Sequence, residues 1–345
     1  MGYDVVVVGG GMAGVSVAAE LAAHRSVVVV EAEAELAWHS TGRSAALYAP
    51  SYGGPVVRAL TAASAPLFGD GVLSPRPMLW VGEVGGLDGV EELTEAAARE
   101  LCPVLRPGRF DRFAVDAGTM DIDVMGLHQR YVQRLRAAGG EIRRGAPVTA
   151  LRRDGQGWRV TAGTEEIVAG TVVNAAGAWV DRIAGLAGVP ALGLRPLRRT
   201  IAIATGPTPV GQGWPLVADV GDTFYFRPEG PGVLVSPADE TPVDPGDAKP
   251  DDLDIALAVD RVNEVTTLGL RSVRTAWAGL RTFAPDREPV VGELPDHPGL
   301  TFLAGQGGYG IQMAPALAVT AARLILGQPI DTAPELLSPA RLLLG

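Results

Sequence analysis

A run of valines that ends in three glycines, near the start of the chain, constrains the fold more than any other stretch. The segment VVVVGGGMAGVSVAAEL spans residues 5–21. The continuous β-branched run predicts a buried strand of a parallel sheet, and the small residues after the glycines predict a helix. The chain is therefore expected to begin with the strand–turn–helix unit of an α/β domain.

The glycines have the spacing G-x-G-x-x-G, with Gly9, Gly11 and Gly14. We expect Gly9 to form the tight turn, Gly11 to let the backbone approach a pyrophosphate, and Gly14 to allow close packing of helix on strand. The helix that begins near Met12 and Ala13 directs its positive end toward the phosphates. These residues are therefore candidates for binding a dinucleotide.

A second valine strand, residues 27–30, ends in Glu31. An acid at this place accepts hydrogen bonds from a ribose diol, so Glu31 and the adjacent Ala32 are further nucleotide-binding candidates. An acidic residue also opposes a 2′-phosphate. The pattern predicts dinucleotide binding without separating NAD from FAD, and the alternative is a glycine-rich tight turn with no ligand.

Composition and charge exclude several classes of protein. A chain of 345 residues is long enough for two domains or one elaborated domain. The formal net charge of −10 argues against nucleic acid, because phosphate binding needs a basic face. The single cysteine, Cys102, rules out an intramolecular disulfide and is typical of a reducing cytoplasm. The four histidines show no ligand spacing, so no metal is predicted.

The opening apolar run differs from a signal peptide, because no basic residue precedes Arg25 and glycines interrupt it. No other stretch reaches membrane-spanning length without charges. We therefore expect a soluble cytoplasmic protein without a membrane span.

The middle of the chain mixes helical and strand patterns. Apolar residues at helical spacing predict a helix over residues 124–138, which glycines then end. Short segments over 141–179 predict a β-meander that returns to the sheet near 172–174, and more strands are expected over 195–240. A Pro/Asp-rich loop then precedes a helix near 253–267.

The polar segment HSTGRSAA, residues 39–46, leads into what reads as the start of a small-residue helix. Its hydroxyls, Ser40 and Thr41, are simple helix caps in one interpretation. In the other interpretation, these hydroxyls together with Arg43 and Ser44 contact a ligand.

Motifs spread over the chain carry a family resemblance. They are HSTGRSAA (39–46), YG (52–53), VRALTAAS (57–64), LSPRP (73–77), VNAAGAW (173–179), AGLAGV (184–189), FY (224–225), WAGLR (277–281) and GQGGYGIQ (305–312). The chain resembles the FAD-dependent D-amino acid oxidase superfamily and, within it, the D-arginine dehydrogenases. The resemblance runs almost end to end and is weakest over 79–115, where this chain is shorter.

The resemblance implies an α/β (α+β composite) fold in which a discontinuous Rossmann-like FAD-binding domain carries an inserted mixed-sheet substrate domain. Residues 1–50, 140–190 and 276–345 would form the FAD-binding domain, and residues 51–139 and 191–275 the substrate domain. Some relatives attach the flavin through a cysteine in their C-terminal part. Because the single cysteine is not there, non-covalent FAD is expected.

The resemblance also implies cofactor contacts from four separate segments. The HSTGRS segment would follow the pyrophosphate and the ring, Val148 would reach the adenine end through its backbone, and the glycines before the last helix would face the flavin N1–O2 edge, where a helix dipole stabilises negative charge. A tight helix entry is the alternative for this last segment. The implied contacts are Ser40, Thr41, Arg43, Ser44, Ala45, Ala46, Val148, Ala176, Gly177, Trp179, Gly305, Gly307, Gly308, Tyr309, Gly310, Ile311 and Gln312.

The substrate residues follow from the same resemblance. Arg281 and Arg199 would grip a substrate carboxylate, because a planar guanidinium binds a carboxylate in a bidentate manner. Tyr52 and Tyr225 would lie beside them, and the Gly308 carbonyl would accept from the amine. Arg281, Tyr225 and Tyr52 are thus the catalytic candidates, although surface or core roles for Arg199 and the two tyrosines are the alternatives.

Two positions depart from the D-arginine dehydrogenase pattern. Leu47 stands where that pattern has a histidine, and Met78 stands where it has a glutamate that pairs with the substrate guanidinium. Trp80, Leu216 and Ala218 occupy other positions expected to wall the pocket. A guanidinium buried without a partner is costly, so an apolar substrate side chain is expected instead of arginine.

The predicted activity is oxidation of an amino acid with an apolar side chain, of D configuration by resemblance. Hydride would pass from Cα to flavin N5, and the imino acid would hydrolyse to a 2-oxo acid and ammonia. The alternatives are oxidation of a secondary or cyclic amino acid such as sarcosine or proline, an NAD-dependent reductase, and a flavin-binding protein without catalysis. The electron acceptor, whether oxygen, a quinone or another carrier, stays open.

Overall fold

The computed structural model describes residues 2–343, and its strands fall into three sheets. In chain order the strands are β1 (Gly2–Val8), β2 (Val27–Val30), β3 (Leu47–Tyr48), β4 (Leu73–Pro75), β5 (Met78–Val81), β6 (Glu91–Leu93), β7 (Phe113–Asp116), β8 (Met120–Ile122), β9 (Glu141–Arg143), β10 (Val148–Asp154), β11 (Gly157–Ala162), β12 (Glu165–Asn174), β13 (Arg195–Thr205), β14 (Leu216–Asp219), β15 (Tyr225–Glu229), β16 (Gly232–Ser236), β17 (Thr241–Pro242), β18 (Ser272–Phe283), β19 (Val290–Glu293), β20 (Leu300–Ala304) and β21 (Gln306–Gly307).

The α-helices lie between and beside these strands, together with short 3₁₀ turns at 65–67, 84–86, 177–179 and 339–343. In chain order the helices are α1 (Met12–Leu21), α2 (Pro55–Ser64), α3 (Glu95–Leu101), α4 (Val124–Ala137), α5 (Val180–Leu186), α6 (Asp252–Val265), α7 (Gly310–Ile325) and α8 (Pro334–Leu337).

The first sheet contains the valine strands at its centre. Its order is β10-β11-β12-β1-β2-β9, and β20, which carries β19, pairs with the end of β12 beyond β11. The pairs β12–β1, β1–β2 and β2–β9 are parallel, whereas β10, β11 and β12 form an antiparallel meander. The predicted return of the meander to the sheet near residues 172–174 is confirmed.

Both faces of the first sheet are covered, which explains the unbroken apolar run in β1. Val5 and Val7 pack in one core with α1, α4 and α7, while Val6 and Val8 pack in another with α5. A strand whose two faces are both buried gains nothing from alternating polar residues, so its sequence is continuously hydrophobic.

The second sheet is larger and mixed. Its order is β21-β18-β13-β16-β15-β14-β5-β7-β6, with β17 pairing beside β13, and helices α3 and α6 cover one face. A small third sheet, β3-β8-β4, lies beside them. This arrangement confirms the mixed α/β fold with a Rossmann-like first sheet.

Helices α2 and α4 pack against elements of the first sheet. Val57 and Leu60 of α2, and Leu127 and Leu135 of α4, belong to the same core as α1 and α7. The sequence division assigned both helices to the substrate domain. The domain boundaries stay a prediction, and these two helices contact the first-sheet core.

The predicted helix start after HSTGRSAA is wrong. Residues 38–43 form turns, Ala46 has a φ of 61°, and Leu47 begins the short strand β3. A left-handed residue cannot continue a right-handed helix, so no helix starts here. The helix predicted over 124–138 is confirmed as α4, which ends before Gly139 with its φ of 82°.

Among residues 2–343, no helix is both long and apolar enough to cross a membrane. Over the same residues, no group of three or more His, Cys, Asp or Glu side chains is arranged to hold a metal ion.

Candidate functional site

A cavity of about 530 Å³ lies between the first and second sheets. The loops after β1 and β2 and the segment 37–47 line one part of it, and strands β5, β13, β14 and β18 line another. All the predicted site residues line this cavity except Gly14 and Tyr309. Residues that are more than 300 positions apart in sequence, such as Gly9 and Gln312, therefore face one space.

Two residues of the glycine turn (residues 9–14), Gly9 and Gly14, have no room for a side chain. Gly9 has a φ of 109°, and a Cβ on it would lie 2.5 Å from the Ala175 carbonyl oxygen. A Cβ on Gly14 would lie 1.9 Å from the Gly9 carbonyl oxygen. Gly14 thus lies behind the cavity and permits close contact between α1 and β1, which is the packing role expected of it.

Glu31 is held in place at the end of β2. One carboxylate oxygen accepts from the Gly10 amide at 2.6 Å, and the other accepts from the Glu33 amide at 2.9 Å. Each oxygen keeps a lone pair for another donor. The carboxylate is therefore oriented by backbone before any ligand arrives.

The hydroxyls of the HSTGRS segment tie the cavity wall together. Thr41 accepts from the Met12 amide at 2.9 Å and so caps helix α1 across 29 positions of sequence. Ser40 donates to the Leu280 carbonyl oxygen of β18 at 2.7 Å. The interpretation of these hydroxyls as caps of a helix in their own segment is therefore wrong, and Thr41 instead caps α1.

Arg43 lines the cavity, but its guanidinium points to the loop before α6. It donates to the carbonyl oxygens of Ala248 and Ala278 at 2.9 and 3.0 Å and pairs with Asp247. Trp179 also lines the cavity and packs on the His39 ring, with centroids 4.6 Å apart. The Arg43 guanidinium is thus engaged by protein groups of β18 and of this loop.

His128 of α4 forms a hydrogen bond to the backbone of the glycine turn. It is buried, and its Nε2 donates to the Gly10 carbonyl oxygen at 2.9 Å. Burial lowers the pKa of His128, and the hydrogen bond to Gly10 only partly opposes this effect. The imidazole is therefore neutral at neutral pH.

The C-terminal glycines form the entry to α7. Gly305 and Gly307 have φ values of 64° and 53°, so the left-handed backbone requires glycine there. Gln312 is buried and donates to the Tyr52 carbonyl oxygen at 3.4 Å and to the Thr61 hydroxyl at 3.0 Å. This segment therefore fixes the position of the Tyr52 loop, while Tyr309 packs behind it against Tyr52 with ring centroids 5.1 Å apart.

The arginine pair, Arg199 and Arg281, comes together through strand pairing. In the antiparallel ladder of β13 and β18, Arg199 lies opposite Gly279, two residues from Arg281. Diagonal neighbours in such a ladder are within reach of long side chains. Sheet register therefore brings two arginines that are 82 positions apart in sequence to one face.

Arg281 is only 9% exposed and is held on several sides. Its guanidinium donates to the Glu240 carboxylate at 2.9 Å and to the Tyr52 hydroxyl at 3.0 Å. A Cβ on Gly308 would lie 1.9 Å from one of its nitrogens. Burial disfavours its charge, yet Tyr52, Tyr309 and the Asp222 carboxylate raise the pKa of Arg281, so it stays charged.

The wall next to the arginine pair is apolar. In the parallel pair β5–β14, Met78 lies beside Leu216 and Trp80 beside Ala218. These four side chains share one buried cluster, whereas the alternate residues Leu79, Val81 and Val217 pack on the other face against another core. Strand periodicity therefore directs the pocket residues to the cavity. Leu47 and Tyr225 complete this wall.

Two acidic residues near the arginine pair were not predicted from the sequence. Asp222 lines the cavity with a φ of 52°, and its carboxylate lies 3.6 Å from Arg199. Glu240 contacts the arginines from a loop after β16. Neither residue stands in a motif, and only the strand pairing brings these loops to the site, so no signal in the sequence could have identified them.

The family match now decides the cofactor. Residues 4–324 match the family described as DAO, FAD dependent oxidoreductase. The chain belongs to this family. The members of this family are FAD-dependent oxidoreductases, so FAD, not NAD, is the cofactor. A particular closeness to D-arginine dehydrogenase stays a prediction.

Relatives known by sequence differ in how much of their length this chain covers. Bovine FAD-dependent oxidoreductase domain-containing protein 1 is 34% identical over 190 residues, which are 48% of this chain and 38% of that protein. Glycine oxidase of Bacillus licheniformis is 25% identical over 362 residues, which are 96% of this chain and 95% of that enzyme. The chain thus matches less than half the length of the bovine protein.

Solved structures share the fold. Glycine oxidase from Geobacillus kaustophilus superposes with a TM-score of 0.85 at 20% identity, covering 99% of both chains. L-Proline dehydrogenase from P. horikoshii gives a TM-score of 0.83 at 20% identity, covering 98% of this chain and 97% of that one.

The residues around the cavity fit FAD. Gly11 lines the cavity at the start of α1, and without a side chain it leaves its backbone uncovered for a pyrophosphate. The oriented Glu31 carboxylate suits a ribose diol, and the start of α7 at Gly310 offers a second helix N-terminus. These groups would hold the cofactor at its phosphates, its ribose and its ring.

Proposed function

We propose that this enzyme oxidises an α-amino acid with an apolar side chain, of D configuration, at the Cα–N bond. The observation that carries this proposal is the buried, charged Arg281 beside the apolar wall of Met78, Trp80, Leu216 and Ala218. A cation at one side and an apolar surface at the other fit a molecule with one carboxylate and a hydrophobic side chain.

When bound, FAD supplies the two-electron oxidation of the Cα–N bond. Arg281 would bind the substrate carboxylate, and the Tyr52 hydroxyl, which accepts from Arg281, keeps its own proton to donate to the same carboxylate. The Gly308 carbonyl would accept from the amine, and Tyr225 would close the pocket. These contacts orient Cα, which is most of what the protein must contribute. The imino acid product would hydrolyse to a 2-oxo acid and ammonia.

The apolar wall sets the proposed side-chain preference. Met78 is 4% exposed, and no carboxylate is available at this position to pair with a substrate guanidinium. Each buried methylene contributes about 0.8 kcal/mol, so activity should rise from D-alanine to D-leucine, D-methionine or D-phenylalanine. D-Arginine should be a poor substrate.

Anaerobic bleaching of the flavin by a panel of D-, L-, N-methyl and cyclic amino acids tests the proposal. Bleaching by apolar D-amino acids supports it, and bleaching by sarcosine or proline alone supports the alternative of a secondary-amine substrate. A flavin that stays yellow with every amine indicates a protein without this catalysis. Repeating the panel in air separates oxygen from a quinone or another carrier as the electron acceptor.

Met78→Glu tests the wall directly. A carboxylate at this position would pair with a cationic side chain, so the ratio of kcat/KM for D-arginine to that for D-leucine should rise. Steady-state kinetics of both substrates on both proteins gives the answer. A parent enzyme that already prefers D-arginine would contradict the placement of Met78, and an acid that lines the cavity, such as Asp222, would then have to pair with the substrate side chain.

We further propose that the FAD is held non-covalently and that the enzyme is cytoplasmic. Cys102 is fully buried in the core under β7, and burial raises the pKa of its thiol to about 12, so it is unreactive. Acid precipitation should release all the flavin into the supernatant, and colour in the pellet would contradict non-covalent binding.

A further inference from the structure

Three arginines converge on one carboxylate at the edge of the cavity. One oxygen of Glu240 accepts from Arg281 at 2.9 Å, from Arg287 at 2.9 Å and from Arg199 at 3.4 Å. The other oxygen accepts from Arg287 at 3.1 Å. Burial opposes the charge on Glu240, but these arginines lower its pKa, so the carboxylate stays ionised.

Glu240 lies outside the set of side chains that line the cavity, whereas Arg281 is in that set. A continuous series of contacts therefore leads from solvent to the cavity, through Arg287, Glu240 and Arg281. Arg287, half exposed, stacks on the Phe283 ring at 3.8 Å and grips Glu240 with two nitrogens, and Glu240 in turn holds Arg281. Glu240 thus contacts a cavity-lining arginine without lining the cavity itself.

The loop that carries Glu240 is itself anchored to β13. The Asp239 carboxylate accepts from the Thr200 amide at 2.6 Å and from its hydroxyl at 3.1 Å. The Asp239 carbonyl oxygen accepts from Arg199 at 2.9 Å. The backbone next to Glu240 is therefore anchored by hydrogen bonds, so Glu240 can hold the Arg281 guanidinium in one orientation.

The Arg281 guanidinium needs contacts that fix its orientation. The Arg281 side chain has several rotatable bonds, and its guanidinium fits only because Gly308 has no side chain, since a Cβ there would lie 1.9 Å from one of its nitrogens. Tyr52 contacts one terminal nitrogen of Arg281 and Glu240 contacts the other, so the two hydrogen bonds together define the plane of the guanidinium group. A bidentate carboxylate grip depends on that plane.

We propose that Glu240 is a positioning residue that orients Arg281 for the substrate carboxylate, and that it acts through its reach and hydrogen bond more than through its charge. This inference rests on the proposed role of Arg281. The functional consequence is that substrate orientation depends on a residue that does not touch the substrate.

Two substitutions separate reach from charge. Glu240→Gln keeps an acceptor oxygen at the same distance and removes the charge. Glu240→Asp keeps the charge and withdraws the oxygens by one methylene, and neither change leaves a large void. We expect Glu240→Asp to lower the flavin reduction rate at saturating amino acid by roughly 10- to 100-fold, because small misplacements of orienting groups have effects of this size. Glu240→Gln should stay within about 3-fold of the parent.

A second readout does not depend on turnover. Calorimetric titration of the FAD-loaded protein with benzoate, a simple carboxylate, should give a Kd raised about 10-fold in Glu240→Asp and within about 3-fold of the parent in Glu240→Gln. Glu229→Asp and Glu229→Gln are matched controls, because Glu229 pairs with Arg227 at 2.9 Å and Arg227 does not line the cavity. Both controls should behave like the parent.

The inference is overturned if Glu240→Asp matches the parent in both measurements, or if Glu240→Gln is impaired as much as Glu240→Asp. A parent that does not bind benzoate also overturns it. Failure of the proposed function gives a different result, because no amino acid would then bleach the parent flavin while the benzoate Kd values of the two variants still diverge.

Discussion

The two ends of the cavity are built in different ways. The glycine turn and Glu31 come from one contiguous unit, β1–α1–β2, whose parts contact each other through backbone. The arginine pair and the apolar wall come from strands β5, β13, β14 and β18, and the loop carrying Glu240 adds a further contact. Steric fit dominates at the first end, whereas side-chain orientation dominates at the second.

This difference predicts different consequences of substitution. At the glycine turn a single added carbon meets rigid backbone, so cofactor binding and folding should fail together. At the arginine end a displaced side chain can move without disturbing the sheet, so activity should fall while the fold and the FAD remain.

The largest effect is expected at the glycine turn. Gly14→Val would force side-chain atoms against the Gly9 carbonyl oxygen, which lies 1.9 Å from the Cβ position. We expect a loss of about 3 kcal/mol or more in unfolding free energy, because neither backbone can yield easily. The flavin-to-protein ratio after purification and thermal unfolding measure this effect.

The matched control is Gly185→Ala in α5, where an added Cβ meets nothing within 4 Å. It should be neutral or stabilise the helix by up to about 1 kcal/mol. Normal FAD content in Gly14→Val would contradict the steric account of the turn.

The second effect is on catalysis alone. Arg281→Ala should lower kcat/KM roughly 30- to 5,000-fold, because a charge-assisted contact to the substrate carboxylate is lost. This corresponds to a loss of about 2–5 kcal/mol of transition-state stabilisation. FAD content should stay at the level of the parent. Arg274→Ala, an exposed position on the same strand, is the control and should have no effect. Parent-like kinetics in Arg281→Ala would mean that the carboxylate is bound elsewhere.

An intermediate effect should follow from Gly308→Ala, which places a Cβ 1.9 Å from the Arg281 guanidinium. The atoms it meets are the end of a flexible side chain, so Arg281 should move while the fold persists. We expect kcat/KM to fall roughly 10- to 100-fold with little change in Tm. A large loss of Tm with unchanged kinetics of the remaining folded enzyme would reverse this interpretation.

The smallest effect concerns pH. His128 has a folded pKa lowered below 6.5 by burial, so the unfolded chain binds a proton that the folded chain does not. The unfolding free energy should therefore be constant above about pH 6.5 and fall below it, by at most about 1.4 kcal/mol per pH unit. Denaturant unfolding in excess FAD between pH 7.5 and 5.5 measures this slope.

His128→Gln should flatten the slope, and His24→Gln, at an exposed position, should not. An unchanged slope in His128→Gln would show that another group controls stability in this range.

Local pattern was sufficient for the elements with one strong periodicity. The valine runs predicted buried strands because both faces of the first sheet are covered, and the spacing of residues 124–138 predicted α4. Local pattern was misleading at residues 39–46. Their small residues resemble a helix start, but Ala46 takes a left-handed conformation and Thr41 caps a helix elsewhere.

By itself, the sequence determined the glycine turn, Glu31 and the valine strands, because these depend on neighbours a few residues away and on the periodicity of one element. Tertiary structure alone decided that Arg199 and Arg281 share a face, that Met78 and Leu216 form one wall, and that Glu240 holds Arg281. These contacts depend on strand register and on loops far apart in sequence. A shift of one residue in either strand would turn each side chain to the opposite face.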